Sequence, residues 1–290
     1  MKKLIYILSA VFLLTAVSCE EKLDDKSIFD TSAPERNEFD QWLLENYVYP
    51  YNIDVKYRLE DIESNMTYDL APADINHSIT MAKIIKYVWL EAYDEVAGID
   101  FTRAYVPKQI LLVGSPAYDP NQGTMELGTA EGGLKVILYM VNEIGEMRDN
   151  IDDLNTYYFR TMHHEFSHIL HMTIPYDPTF ETITESAYIG SDWYTMDDST
   201  AHRRGFVSPY AMDKPEEDFV EIIAHYVTHD ETWWNALLAD AQETGADLIN
   251  QKFNIVRDYL SDIWDININE LREVVLRRES EIDELDLEHL

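Results

Sequence analysis

Apolar and polar positions repeat along this chain in two rhythms. From 53 to 57 the apolar side chains Ile53, Val55 and Tyr57 come every second residue, the period of a half-buried strand. Between 72 and 96 the period lengthens. There Ile75, Ile79, Ala82, Ile85, Trp89 and Tyr93 share one face of a helix opened by Pro72-Ala73-Asp74. A shorter helix is expected over 35–46. KQILLVGS and LKVILYMVN then read as β-rich runs, with TMELGTAEGG between them as a candidate third strand.

After Asn142 helical spacing dominates. One helix is expected over 151–173, stopped by Pro175, and a loop-rich stretch holding Tyr188, Trp193 and Tyr194 follows over 176–212. DKPEEDFVEIIAHYV then starts a helix in which Asp213 and Glu216 have capping-box spacing and Pro215 sits in the first turn. Two more helices are expected near 246–263 and 269–285. The pattern predicts an α+β fold with a strand-containing lobe over 35–145 and a mainly helical lobe over 146–290.

The first 34 residues follow neither rhythm. MKKLIYILSAVFLLTAVSC places two lysines before an apolar run of 14 residues, from Leu4 to Val17, which ends in small residues. That is the layout of a secretory signal peptide over 1–18, and the run is too short to span a bilayer comfortably. Ala16-Val17-Ser18-Cys19 resembles the bacterial lipobox, although position 16 is usually Leu there. The resemblance implies lipidation of Cys19, which would become the mature N-terminus. Residues 19–34 are polar and acidic and read as a tether from lipid to domain. Acidic residues directly after such a cysteine resemble the surface-export signals of some Gram-negative lipoproteins. The expected address is therefore the cell envelope, at the outer membrane, with the lipid anchor as the only membrane contact.

Composition narrows the choice of function. Apolar residues make up 46% of the chain and aromatics 12%, which suits a globular protein. Basic side chains number 22 against 55 acidic ones, and loss of Lys2 and Lys3 with the signal takes the net charge from −33 to −35. A nucleic-acid groove needs positive charge that this chain lacks, so no nucleic-acid partner is expected. Cys19 is the only cysteine, which rules out an intramolecular disulfide and a cysteine metal cluster.

The chemistry concentrates in MHHEFSHILHM, residues 162–172. On a helix, His164, His168 and His171 lie within about 60° of one another, while Phe159, Met162, Phe166, Ile169 and Leu170 fall roughly opposite. Histidines at i and i+4 can converge on one zinc ion, and Glu165 beside the first is placed to act as general base. A catalytic zinc needs a third protein ligand and an open position. The metzincin position, 174, is Ile. His171, Glu185, Glu217 and Glu221 are the remaining candidates, and spacing alone does not choose among them.

Two resemblances narrow that choice. HEFSH at 164–168, then Tyr210 and, seven residues on, Glu217-Asp218-Phe219-Val220-Glu221, resemble the gluzincin metallopeptidases with the anthrax lethal factor-like pattern. The match implies that His164, His168 and Glu217 bind one Zn2+ per chain, with Glu165 as base and Tyr210 as oxyanion donor. It further implies that Glu221 orients a ligand histidine from behind the site. The full chain, with GFVSPYA and the lipobox, also resembles the substrate import-associated zinc metallohydrolase lipoproteins. That likeness implies a zincin-like fold, a peptide or protein substrate and association with TonB-dependent nutrient uptake. A zinc hydrolase of a non-peptide amide or ester, and a nutrient-binding accessory lipoprotein with a non-catalytic zinc site, stay open as alternatives.

Overall fold

The computed structural model describes residues 35–63, 67–118, 125–126, 128–131 and 134–290. The expected signal peptide over 1–18 and the tether with Cys19 lie outside them. Glu38–Leu290 forms one compact unit. Among the described residues no helix is long and apolar enough to cross a membrane.

The chain enters through helix α1 over 38–51, whose Phe39, Leu43, Tyr47 and Tyr51 are buried, and then forms strand β1, Asp54–Lys56. Helix α2 covers 75–97. Its N-cap is Asp74, whose carboxylate accepts hydrogen bonds from the backbone N–H groups of Asn76 and His77. Ile79, Ala82, Ile85, Trp89 and Tyr93 are buried as their spacing predicts, whereas Ile75 in the first turn stays exposed. Helix α3, Ile99–Tyr105, follows directly.

Strands β2 (Gln109–Leu112), β3 (Ala117–Tyr118), β4 (Met125–Glu126), β5 (Gly128–Glu131) and β6 (Lys135–Leu138) complete the β structure. The candidate third strand thus comes as two short ones. β4 pairs with β3, and β5 joins the main sheet of order β1-β2-β6-β5. β1, β2 and β6 run parallel, while β5 lies antiparallel at one edge. The alternation of the β-rich runs buries both faces. Ile110, Leu112, Val136 and Leu138 join the main core, and Leu111, Val113, Ile137 and Tyr139 form a smaller cluster on the other side.

A continuous helical run over 151–173 contains a π turn, Asn155–Phe159, and ends in helix α4, Arg160–Thr173. Phe166 of α4 meets Trp89 and Tyr93 of α2 edge-on, at ring-centroid distances of 5.8 and 4.8 Å. This contact fixes which face of α4 is core and which is left for histidines.

Helix α5, Pro215–Thr228, packs against α4. Its start differs from the expected capping box. Lys214 is the N-cap and offers no side-chain hydrogen bond, because Asp213 belongs to the preceding 3-10 turn, its N–H bonded to the Tyr210 carbonyl at 3.0 Å. Glu216, Glu217 and Asp218 instead place three acidic groups in the first turn, where the helix dipole favours them. Helix α6, Glu231–Asp240, was not expected from the pattern; Asp230 caps it and it carries Trp233 and Trp234. Helices α7 (Gln242–Trp264) and α8 (Ile268–Ser280) complete the α+β, zincin-like arrangement of a small sheet beside a large helical assembly.

Candidate metal centre

His164 and His168, one turn apart on α4, point toward the first turn of α5. Their Nε2 atoms lie 3.1 Å apart. Oε2 of Glu217 sits 3.0 Å from the first and 3.2 Å from the second. Ligand atoms bound at about 2.0–2.1 Å to one tetrahedral zinc stand about 3.3 Å from each other, so this triangle has nearly the size the ion requires. The three residues are the group that could hold a metal among the described residues.

Hydrogen bonding behind the triangle tests whether the donor set suits a cation. Nδ1 of His164 faces Oε1 of Glu221 at 2.9 Å. A carboxylate can only accept, so that nitrogen carries a proton, and the neutral ring presents a lone pair at Nε2. Nδ1 of His168 meets Nε2 of His171 at 2.9 Å, and with His168 as donor its Nε2 is bare as well. Two lone pairs and a carboxylate oxygen then face each other at hydrogen-bond distance. They repel unless a positive charge sits among them, which a second proton on His164 or a divalent metal supplies, so the donor set fits a metal ion.

Electrostatics point the same way. Burial works against a charged His164, but hydrogen bonds to Glu217 and Glu221 override it and carry its pKa up to about 10. Burial would raise the Glu217 carboxyl, and the bonds to His164 and His168 instead hold it well below the usual carboxylate range. Glu221 is likewise depressed against its burial by His164 and His225. Two buried carboxylates thus draw positive charge into the cluster.

Tyr210, in a short 3-10 turn, lays its ring against His164 at 5.7 Å and 29°. Burial first, and the charges of Glu217, Glu221 and Glu165 next, push its pKa far up, so its hydroxyl stays protonated and able to donate. Glu165 follows His164 on α4 and is 8% exposed.

The other third-ligand candidates take different places. Glu221 reaches the far nitrogen of His164, away from the triangle. His171 backs His168 rather than joining the ligand atoms. Glu185 is exposed on a 3-10 turn outside the cluster.

Several supporting residues carry no signal in the sequence. Ser208 donates to Oε2 of Glu221 at 2.5 Å, and Nε2 of His225 meets the same oxygen at 3.2 Å. His225 and His229 stack on Trp233, with ring centroids 5.4 and 3.9 Å away. Trp234 packs inward against Tyr226 and Phe253. Asp218 faces away from the triangle, where Lys252 of α7 donates to it at 2.5 Å and Tyr188 at 2.8 Å.

Comparison with known proteins agrees with this geometry. Residues 32–269 match the model of a family described as "Putative zinc-binding metallo-peptidase". A crystal structure described in the same words, from Bacteroides caccae, is 49% identical in sequence, with a TM-score of 0.77. The match covers 91% of this chain and 99% of that one. No curated protein matches.

Proposed function

We propose, for a chain that belongs to the zinc-binding metallo-peptidase family, that it is a hydrolase cleaving peptide bonds at the His164–His168–Glu217 centre. The observation that carries the reading is the triangle of ligand atoms with Glu165 one residue from His164 and Tyr210 stacked on the same ring. A purely structural metal site needs neither a base nor a hydroxyl donor.

His164, His168 and Glu217 would hold the ion, and Glu221 and His171 would fix the two imidazoles behind it. Zinc bound there supplies a Lewis acid that polarises a carbonyl and acidifies water. The Glu165 carboxylate takes the proton of the attacking water and returns it to the leaving nitrogen. The Tyr210 hydroxyl donates to the oxyanion that develops on the carbonyl. β5, antiparallel at the sheet edge and packed against α4, offers backbone groups to an extended substrate.

The same reading sets the enzyme in the cell envelope, anchored in the outer membrane through a lipidated Cys19 and working beside a TonB-dependent uptake system. The supports are the lipobox-like ending and the family resemblance in the sequence.

Incubation of the zinc-loaded protein with a peptide library, read by mass spectrometry, tests the activity. Discrete cleavages that disappear in Glu165→Gln are expected. Turnover of ester or non-peptide amide substrates with every peptide left intact would replace the peptidase reading with the broader hydrolase.

A further inference from the structure

A cavity of about 600 Å³ opens beside the metal centre, and Arg160, Trp193, Tyr210, Glu221, His225 and Trp233 are among its walls. It adjoins that centre through Tyr210, whose ring lies against His164, and through Glu221, which stands behind the same imidazole. Arg160 stands one turn before His164 on α4 and therefore on the same face, about 6 Å along the axis.

In a chain with 55 acidic and 22 basic side chains, most cations find a carboxylate. Lys56, Lys86, Lys135, Lys252, Arg277 and Arg278 all do. Arg160 does not. The polar atom it approaches is Nε2 of His225, at 3.5 Å. That nitrogen is also 3.2 Å from the Glu221 carboxylate, where it serves as donor, so it has no lone pair to offer the guanidinium. None of the carboxylates in the cavity wall forms an ion pair with Arg160 among the described residues. Glu221 is held by His164, Ser208 and His225, and Asp240 by His202 and Ser199. Asp198 is exposed and forms no ion pair with Arg160.

The geometry points to Arg160 as the anchor for a carboxylate of the peptide substrate, carried one or two residues beyond the scissile bond. That carboxylate is either an acidic side chain or the free C-terminus. A planar guanidinium with uncommitted N–H groups matches a carboxylate through two parallel hydrogen bonds, and partial burial strengthens them. The proposal rests on the peptidase reading and names the substrate class for it.

Binding separates the two claims. Hydroxamate-capped dipeptides, which grip the metal, would carry Glu or Gln after the hydroxamate and end in either an acid or an amide, with affinities measured by calorimetry on the zinc-loaded protein. At least one carboxylate-bearing probe should bind about tenfold or more tighter than its neutral twin, and the acid–amide pair tells side chain from C-terminus. Arg160→Gln should erase that advantage with zinc content unchanged, Arg160→Lys should keep part of it, and Arg160→Glu should turn the preference toward a Lys-bearing probe. Equal affinity for acid and neutral twins in the wild type, or an advantage that survives Arg160→Gln, overturns the proposal, as does failure of all the probes to bind. Peptides cut without regard to carboxylates would also sink the anchor and leave the peptidase reading standing. Probes that discriminate while no peptide is ever cut would do the reverse.

Discussion

Glu221 touches His164 on the side away from the ligand triangle, with 2.9 Å between Oε1 and Nδ1. The contact does more than orient a ring. It fixes the tautomer, since a carboxylate facing Nδ1 requires the proton there and leaves Nε2 free to coordinate.

Metal analysis of single variants follows from that division of labour. Glu217→Ala should lose zinc outright, because it removes one of the three ligand atoms. Glu221→Gln and His171→Ala should still bind zinc at saturation but with about 10–100-fold weaker affinity, the usual effect of losing an orienting partner. Glu185→Ala should be indistinguishable from wild type. Competition with a fluorescent chelator reads all four, and zinc loss in Glu185→Ala alone would move the third ligand.

Glu165→Gln keeps the size of the side chain and removes the proton acceptor. Turnover should fall by about 10²–10⁴-fold, with zinc content and melting temperature nearly unchanged. Tyr210→Phe should lower kcat by about 10²–10³-fold while KM moves little, since its donor acts on charge that develops in the transition state. Steady-state kinetics on any peptide found to be cut checks both, and wild-type turnover in the Gln variant would end the mechanism.

Glu279 of α8 predicts a pH dependence of stability. It is buried against Asn155 in the π turn that precedes α4, and burial raises its pKa from 4.5 to about 8, partly opposed by the Asn155 hydrogen bond. From about pH 4.5 to 8 the folded chain keeps this proton and the unfolded chain does not. Stability from this group is therefore full below the unfolded value and declines as pH rises, by up to about 1.4 kcal/mol per pH unit. Glu279→Gln should remove that decline. Denaturant melts at pH 5 and pH 8 give the comparison, and parallel losses in wild type and variant would refute it.

Cys19→Ser should release the protein from the membrane fraction and abolish labelling by a fatty-acid probe. Unchanged partition and labelling would count against the lipobox.

The sequence revealed periodic elements better than their junctions. The strands around Val55, Ile110 and Val136 and the face of α2 from Ile79 to Tyr93 follow from spacing, because burial is what spacing records. The cap of α5 did not follow, since Asp213 has the right chemistry one residue too early for the turn that Tyr210 begins. Within the site, the step from His164 to His168 is a property of one helix and was legible. The meeting with Glu217 was drawn from a family likeness, because no local pattern encodes how α4 and α5 pack. Ser208, His225 and Arg160 went unassigned for the same reason: their roles are set by neighbours distant in the chain.

Lys252 shows how far such dependence reaches. Its buried ammonium donates to Asp218, the residue after Glu217, and to the carbonyl of Gly205, at the head of the segment that brings Ser208 and Tyr210 to the centre. One side chain on α7 therefore ties the helix turn that carries a ligand to the segment that carries Tyr210. Drift at position 252 would register as poor alignment of the reacting groups, with every one of those groups still present.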